Sequence, residues 1–352
     1  MKTRAFVVLS FLVILSMVFP VSVYAAAPKA DVDCAKPDTF CVGLVTDVGK
    51  VDDKSFNQSA YEGLKKAEKE LGAVTKYIET TDSKDYGKNI GTFAEANYDV
   101  IVTVGFALGE ATIEAAKTYP DIKFIGIDQS QTDVIDNLTG IVFDEDKSGY
   151  LAGVLAALMT KSNKVGGVFA TDAIPPVWRF GEGYRAGIKS VNDKAEINIV
   201  YHNDVGLDKT FSDPEWGKTT ANSMMDKGVD IIFSAGGKTG NGGLIAVAGK
   251  STADKPIYAI GVDADQYYSV PEAQKVLVSS AMKDITPAVF DTIKAAKDGK
   301  LKGGDFTGPV FLAPFHDCEK AVSADIKTKL EAVSKGLKDG SIKTNVALTK
   351  PS

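Results

Sequence analysis

Where apolar runs of the chain end, the next residue is repeatedly one able to bind a small polar solute. Asp47, Gly105-Phe106, Asp128, Asp172, Gly236-Gly237, Asp263 and Lys283 each follow such a run. Aspartate and glycine also serve as caps and turn residues in any chain, so no one of these positions is informative alone. Their recurrence in both halves, together with a lysine and a phenylalanine, points to a shared cleft. Carboxylates in a cleft accept paired hydrogen bonds from vicinal hydroxyls or ring N–H groups, and they repel phosphate and carboxylate. The ligand class this favours is neutral: a polyol or a nitrogen heterocycle. Phe56, Phe106, Trp178 and Phe180 are the aromatic residues placed to stack on a flat ring, a contact worth about 1–3 kcal/mol per base.

Other chemistries fail on spacing. The run Ala235-Gly236-Gly237-Lys238-Thr239-Gly240 approaches a phosphate-binding loop, but Ile232 stands where its first glycine belongs. The same run misses the dinucleotide fingerprint, because Leu244 and Ile245 occupy the place of its third glycine. No Gly-x-Ser-x-Gly elbow and no His-Glu-x-x-His is present. The pair Asp52-Asp53 is adjacent in sequence, so its side chains are expected to point apart and face solvent at a helix start. His202 and His316 stand alone, outside any metal-ligand spacing, and no metal and no cofactor are expected. The 46 acidic residues exceed the 40 basic ones and leave a net charge of −6, which excludes nucleic acid as a partner.

The elements that must position these residues alternate. Strand patterns fall at 42–46, 74–78, 100–104, 123–127 and 140–143, and again at 164–169, 197–201, 230–233, 257–261 and 276–281. Helix-period segments lie between them; Phe56, Ala60, Leu64, Ala67 and Leu71 share one face, and Gly72 ends the segment. Strands that are apolar throughout, such as 100–104, suit a parallel sheet covered on both faces. The class is α/β, doubly wound, in two similar lobes: 40–146 and 147–283, with a change near 144–148 where a long apolar helix over 150–159 begins. A helix over 286–297 is expected to carry the chain back to the first lobe over about 284–305. Gly303-Gly304, a strand near 310–312 and a charged helix over 321–337 follow; residues 306–352 are not assigned to either lobe. Two or three connections between lobes permit hinge closure.

Lys2 and Arg4, the apolar run 5–19, Pro20 and Val23-Tyr24-Ala25 read as a secretory signal cleaved near Ala25. No lipobox cysteine stands at that point, so the protein is expected to be exported, periplasmic or extracytoplasmic, and free of a lipid anchor. Export permits a disulfide among Cys34, Cys41 and Cys318; sequence does not select the pair.

One family carries this pattern. The segments Gly43-Leu44-Val45-Thr46-Asp47-Val48-Gly49 and Asp52-Asp53-Lys54-Ser55-Phe56-Asn57-Gln58-Ser59-Ala60-Tyr61-Glu62-Gly63 strongly resemble the basic membrane protein (Bmp) family, the substrate-binding components of ABC transporters that include the purine-nucleoside receptors. Pro175-Pro176-Val177-Trp178-Arg179-Phe180, Asp213-Pro214-Glu215-Trp216-Gly217-Lys218, Gly236-Gly237-Lys238-Thr239-Gly240-Asn241-Gly242 and Gly261-Val262-Asp263 look like the same family, from about residue 41 to Leu312-Ala313-Pro314-Phe315. The resemblance implies a two-lobed periplasmic-binding fold of type I that closes on a nucleoside such as guanosine, inosine or adenosine, performs no catalysis, works as a monomer and delivers its cargo to a membrane permease. Carried over by position, Asp47 and Asn57 would hydrogen-bond the base and Phe56 would stack on it, with Asp128 nearby. Asp263 would bind the ribose hydroxyls, Lys283 would support it, and Gly236 would let the backbone approach. Gly243-Leu244 stand where many members have a second stacking aromatic, which leaves Phe180 and Trp178 for that place. The alternatives are a receptor for another neutral polyol or an amide, a nucleoside hydrolase built on the carboxylates, and a sensor for the same ligand.

Overall fold

The computed structural model describes residues 33–351, and the leader expected over 1–25 lies outside them. Lobe 1 opens with β1 (Cys41–Val48), α1 (Phe56–Leu71), β2 (Val74–Thr80), α2 (Tyr86–Glu95), β3 (Val100–Val104), α3 (Gly109–Thr118), β4 (Lys123–Ile127) and β5 (Leu138–Phe143). Lobe 2 follows with α4 (Glu145–Met159), β6 (Lys164–Phe169), α5 (Pro175–Val191), β7 (Glu196–Tyr201), α6 (Leu207–Thr210), α7 (Pro214–Asp226), β8 (Ile231–Ala235), α8 (Gly237–Lys250), β9 (Tyr258–Asp263), α9 (Gln266–Ser269) and β10 (Leu277–Lys283). The chain then runs through α10 (Ile285–Lys297), β11 (Gly304–Gly308), β12 (Val310–Leu312) and α11 (Ala324–Asp339).

The strands form two six-stranded sheets, ordered β11-β5-β4-β3-β1-β2 and β12-β10-β9-β8-β6-β7. The orders are the same, with β6 to β10 in the places of β1 to β5, so the second lobe repeats the first. All pairings are parallel except β12 on β10. A parallel strand buried on both faces must be apolar throughout, as Val100–Val104 is. Helices fill both faces of each sheet. Leu64, Ala60 and Ala67 of α1 pack on Val42 and Val102 together with Val289 and Ile293 of α10, while Phe93 and Leu108 cover the other face.

The chain crosses between lobes three times. It leaves lobe 1 after β5, returns through α10 to α1 and β11, and goes back through β12; Leu330 and Leu337 of α11 join the lobe 2 core. Three expectations need correction. Gly304-Asp305-Phe306-Thr307-Gly308 is an edge strand on β5, continuing the return to lobe 1 to residue 308; its bracketing glycines and exposed Phe306 mask a strand pattern. The helix expected from 150 starts at Glu145, with Glu145 and Asp146 in its first turn where the helix dipole favours acids. The charged C-terminal helix likewise begins at Ala324, capped by Ser323, whose Oγ accepts from the Ile326 N–H.

Candidate functional site

In sheets of order 2-1-3-4-5, the connections from strands 1 and 3 leave in opposite directions and open a crevice at the strands' carboxyl ends. Both lobes have this crevice, and the two face each other across one cavity of about 310 Å³. The carboxyl ends of β1, β3 and β4 bring Asp47, Gly105, Phe106 and Asp128 to it, and the start of α1 brings Phe56 and Asn57. From lobe 2 come Phe180, Gly236, Asp263 and Lys283. Of the residues that sequence singles out, Asp47, Phe56, Asn57, Phe106, Asp128, Phe180, Gly236, Asp263 and Lys283 line this cavity, and Asp172 and Trp178 do not.

Close approach dictates two of its glycines. Gly105 has φ +115, and a Cβ there would stand 2.0 Å from Oδ2 of Asp47. Gly236 has φ +134, and its Cβ would meet that of Ala170 at 2.4 Å. Asp128 (φ 61) and Asp263 (φ 63) hold left-handed backbone without being glycine, a local strain that recurs at ligand sites.

Lys283 organises the floor. Its Nζ donates to Oδ2 of Asp128 at 2.6 Å and stands 3.7 Å from both Oδ1 of Asp263 and Oε1 of Glu145. The same ammonium lies 4.5 Å from the centroid of the Phe56 ring. Burial opposes this charge, but Asp128, Asp263 and Glu145 outweigh it and raise the Lys283 pKa. Burial also drives the carboxyls up: Asp47 to about 7, with Asp53 and Asp128 adding to the effect. Glu145 is likewise pushed up by burial to about 7, against the pull of Lys283. Asp263 moves in the same direction by burial, opposed by Lys283 and Ser55. Oδ1 of Asn57 and Oδ1 of Asp128 are buried acceptors that no donor of the described residues satisfies. An unmet buried acceptor costs about 1–3 kcal/mol, which a ligand N–H or O–H would recover.

The loop before α1 ties the lobes together. Ser55 Oγ donates to Oδ2 of Asp263 at 2.8 Å, Asn241 Nδ2 to the Asp53 carbonyl at 2.8 Å, and Ser269 Oγ and Gln266 Nε2 to the Lys54 carbonyl at 2.7 and 3.2 Å. Asp53 does not face solvent as its place at a helix start suggests. It is buried and accepts from the N–H groups of Ser55, Asn57 and Gln58, capping α1. Burial raises its pKa to about 6 against those bonds. Asp52 is exposed as expected and pairs with Lys238 of lobe 2 at 2.9 Å.

Other residues lie elsewhere. Trp178 is buried and Asp172 pairs with Lys350 and Asn203; neither lines the cavity. His202 stacks on Trp216 between Asp204 and Asp213, and His316 stacks on Tyr267 while binding Asp265. Cys34 and Cys41 form a disulfide, and Cys318 is a buried free thiol. Sequence reading missed Phe211, which lines the cavity, and Glu145 with its ion-pair partner Arg179, which lies beneath it. The Phe211 signal was weak, a lone aromatic in a polar loop. Glu145 opens the charged first turn of a helix that is apolar from Tyr150 onward, and sequence does not separate it from its neighbour Asp146.

Among the described residues, no helix is long and apolar enough to cross a membrane. Residues 40–307 match the family model described as ABC transporter substrate-binding protein, PnrA-like. The chain is 37% identical over 278 residues to the ABC transporter nucleoside-binding protein BmpA of Lactococcus lactis subsp. cremoris, covering 74% of this chain and 76% of that one. It is 33% identical over 360 residues to the CD4+ T-cell-stimulating antigen of Listeria innocua, covering 97% and 99% of the two chains. A crystal structure of an ABC transporter solute-binding protein from Aeropyrum pernix K1 superposes with a TM-score of 0.77 at 27% identity, over 86% of this chain and 92% of that one. With the two repeated lobes and the cavity between them, these matches place the chain in the Bmp family of ABC transporter substrate-binding proteins.

Proposed function

We propose that the protein is an extracytoplasmic receptor that captures a nucleoside, purine favoured, between its lobes and passes it unaltered to a membrane permease. The observation that carries this reading is the cavity itself, with Asp47 and Phe56 on one lobe facing Asp263 and Lys283 on the other. Its volume of about 310 Å³ suits a solute of nucleoside size. Phe56 offers a ring face, Asp47 and Asn57 offer acceptors to base N–H groups, and Asp263 with Lys283 can hold a vicinal diol. Phe106, Phe180 and Phe211 are the other phenylalanines that line the cavity and could offer the second ring face. The nucleoside-binding name of the Lactococcus relative supports the same ligand class. A leader cleaved near Ala25 and a monomeric working state complete the proposal.

Isothermal calorimetry with guanosine, inosine and adenosine tests it, alongside native mass spectrometry of freshly purified protein. Binding at about micromolar affinity or tighter is the expected result. Failure of every nucleoside and free base to bind or to raise the melting temperature overturns the ligand assignment. Release of free base during incubation overturns the non-enzymatic reading.

A further inference from the structure

A second cavity of about 820 Å³ adjoins the first, and Asp47, Val48, Phe106, Ile174 and Phe211 line both. The groups suited to a diol, Asp263 and Lys283, and the ring of Phe56 line the smaller cavity only. A solute held at Asp263 and stacked on Phe56 therefore meets Asp47 at its far edge, with the larger cavity beyond. The side of the cleft closed by the loop from Asp52 to Ser55 contributes nothing to this outer space.

The outer wall is built from both lobes and is mostly apolar. Phe106 is 43% exposed and Leu207 is 50% exposed, unusually open for large apolar side chains, and with Ile113 and Ile174 they border the cavity. Its other charged lining residues are Asp82, Glu110 and Asp208, and no lysine or arginine lines it. Apolar walls under an acidic rim accept an uncharged or cationic aromatic group and oppose phosphate.

We infer that the outer cavity is a second subsite, which takes an apolar aromatic substituent carried on the base edge of the ligand. This rests on the nucleoside reading above and extends it: the solute class includes nucleosides that carry an uncharged aromatic substituent on the base. Such a substituent on an exocyclic amine leaves one N–H for Asp47, so the inner contacts survive.

Calorimetry of the full chain with adenosine, N6-benzyladenosine and 5′-O-benzyladenosine tests the inference. N6-benzyladenosine is expected to bind at least as tightly as adenosine, and 5′-O-benzyladenosine much more weakly. Ala107→Trp places an indole in the outer cavity from an exposed position. It should lower the affinity for N6-benzyladenosine relative to adenosine by about tenfold or more. Adenosine binding with rejection of the N6-benzyl compound, an unchanged ratio in Ala107→Trp, or preference for the 5′-O-benzyl compound each overturns the subsite and leaves the nucleoside reading standing. Binding of none of the three overturns both.

Discussion

Ser55, on the loop that leads into the first helix of lobe 1, donates its hydroxyl proton to Oδ2 of Asp263 at the end of a lobe 2 strand, 2.8 Å away. One carboxylate thus has one oxygen on the opposite lobe and the other, Oδ1, 3.7 Å from Lys283. In the proposed receptor, Asp263 would serve both closure and ligand contact, and a bond that formed only when the lobes meet would shift the population toward the closed form.

Separate substitutions can resolve the two roles. Ser55→Ala removes one hydrogen bond to a carboxylate, worth about 1.5–3 kcal/mol, and should weaken nucleoside binding by roughly tenfold to a hundredfold through closure alone. Asp263→Ala removes the ligand acceptor as well and should abolish binding measurable by calorimetry. Equal effects of the two would show that Asp263 acts through closure only.

Ring stacking makes its own signature. Phe56→Ala should cost about 1–3 kcal/mol of nucleoside affinity, the usual worth of a base on an aromatic face. Free ribose or another polyol offers no aromatic ring, so an equal loss for such a solute would favour a polyol receptor instead.

Asp47 should make binding depend on pH. Burial, with Asp53 and Asp128 nearby, pushes its pKa up to about 7, so below that pH the carboxyl keeps a proton and one oxygen ceases to accept. A raised folded-state pKa contributes stability at acid pH that is lost as pH rises through about 7, and N–H donors from a base, which favour the ionised form, offset that loss. Affinity should therefore rise between pH 5.5 and 7.5, by up to about tenfold per unit, and the ligand-induced rise in melting temperature should be larger at the higher pH. Asp47→Asn should flatten both profiles. A flat profile in the unsubstituted protein would show that Asp47 does not meet a donor.

Asp53 holds the first turn of the helix that carries Phe56 and Asn57. Asp53→Ala should destabilise by about 0.5–2 kcal/mol, the worth of a cap, seen as a fall in melting temperature of a few degrees. Affinity should fall with it, because the cap fixes where both side chains point.

Thiol titration checks the cysteine assignment. The native protein should show no reactive thiol and the denatured, unreduced protein one, Cys318, whose pKa burial pushes up to about 11.

The alternation of strands and helices, the two lobes and the strand-end residues Asp47, Asp128, Gly236, Asp263 and Lys283 were legible from residue order, because a parallel sheet buried on both faces demands apolar runs and delivers whatever follows them to one edge. The edge strand over Gly304–Gly308 was not, since a glycine-bracketed strand owes its place to the neighbour it pairs with. Asp53 was read as solvated because adjacency suggests divergence, whereas the turn it caps draws it inward. Trp178 and Phe180 were indistinguishable in sequence; two positions apart on one helix they lie about 200° around its axis from each other, and only Phe180 lines the cavity. Sequence determined which residues could bind a solute. Tertiary structure alone decided that Lys283 sits among carboxylates from both lobes and that Ser55 reaches Asp263, because these contacts join residues more than a hundred positions apart and exist only where the two sheets face each other.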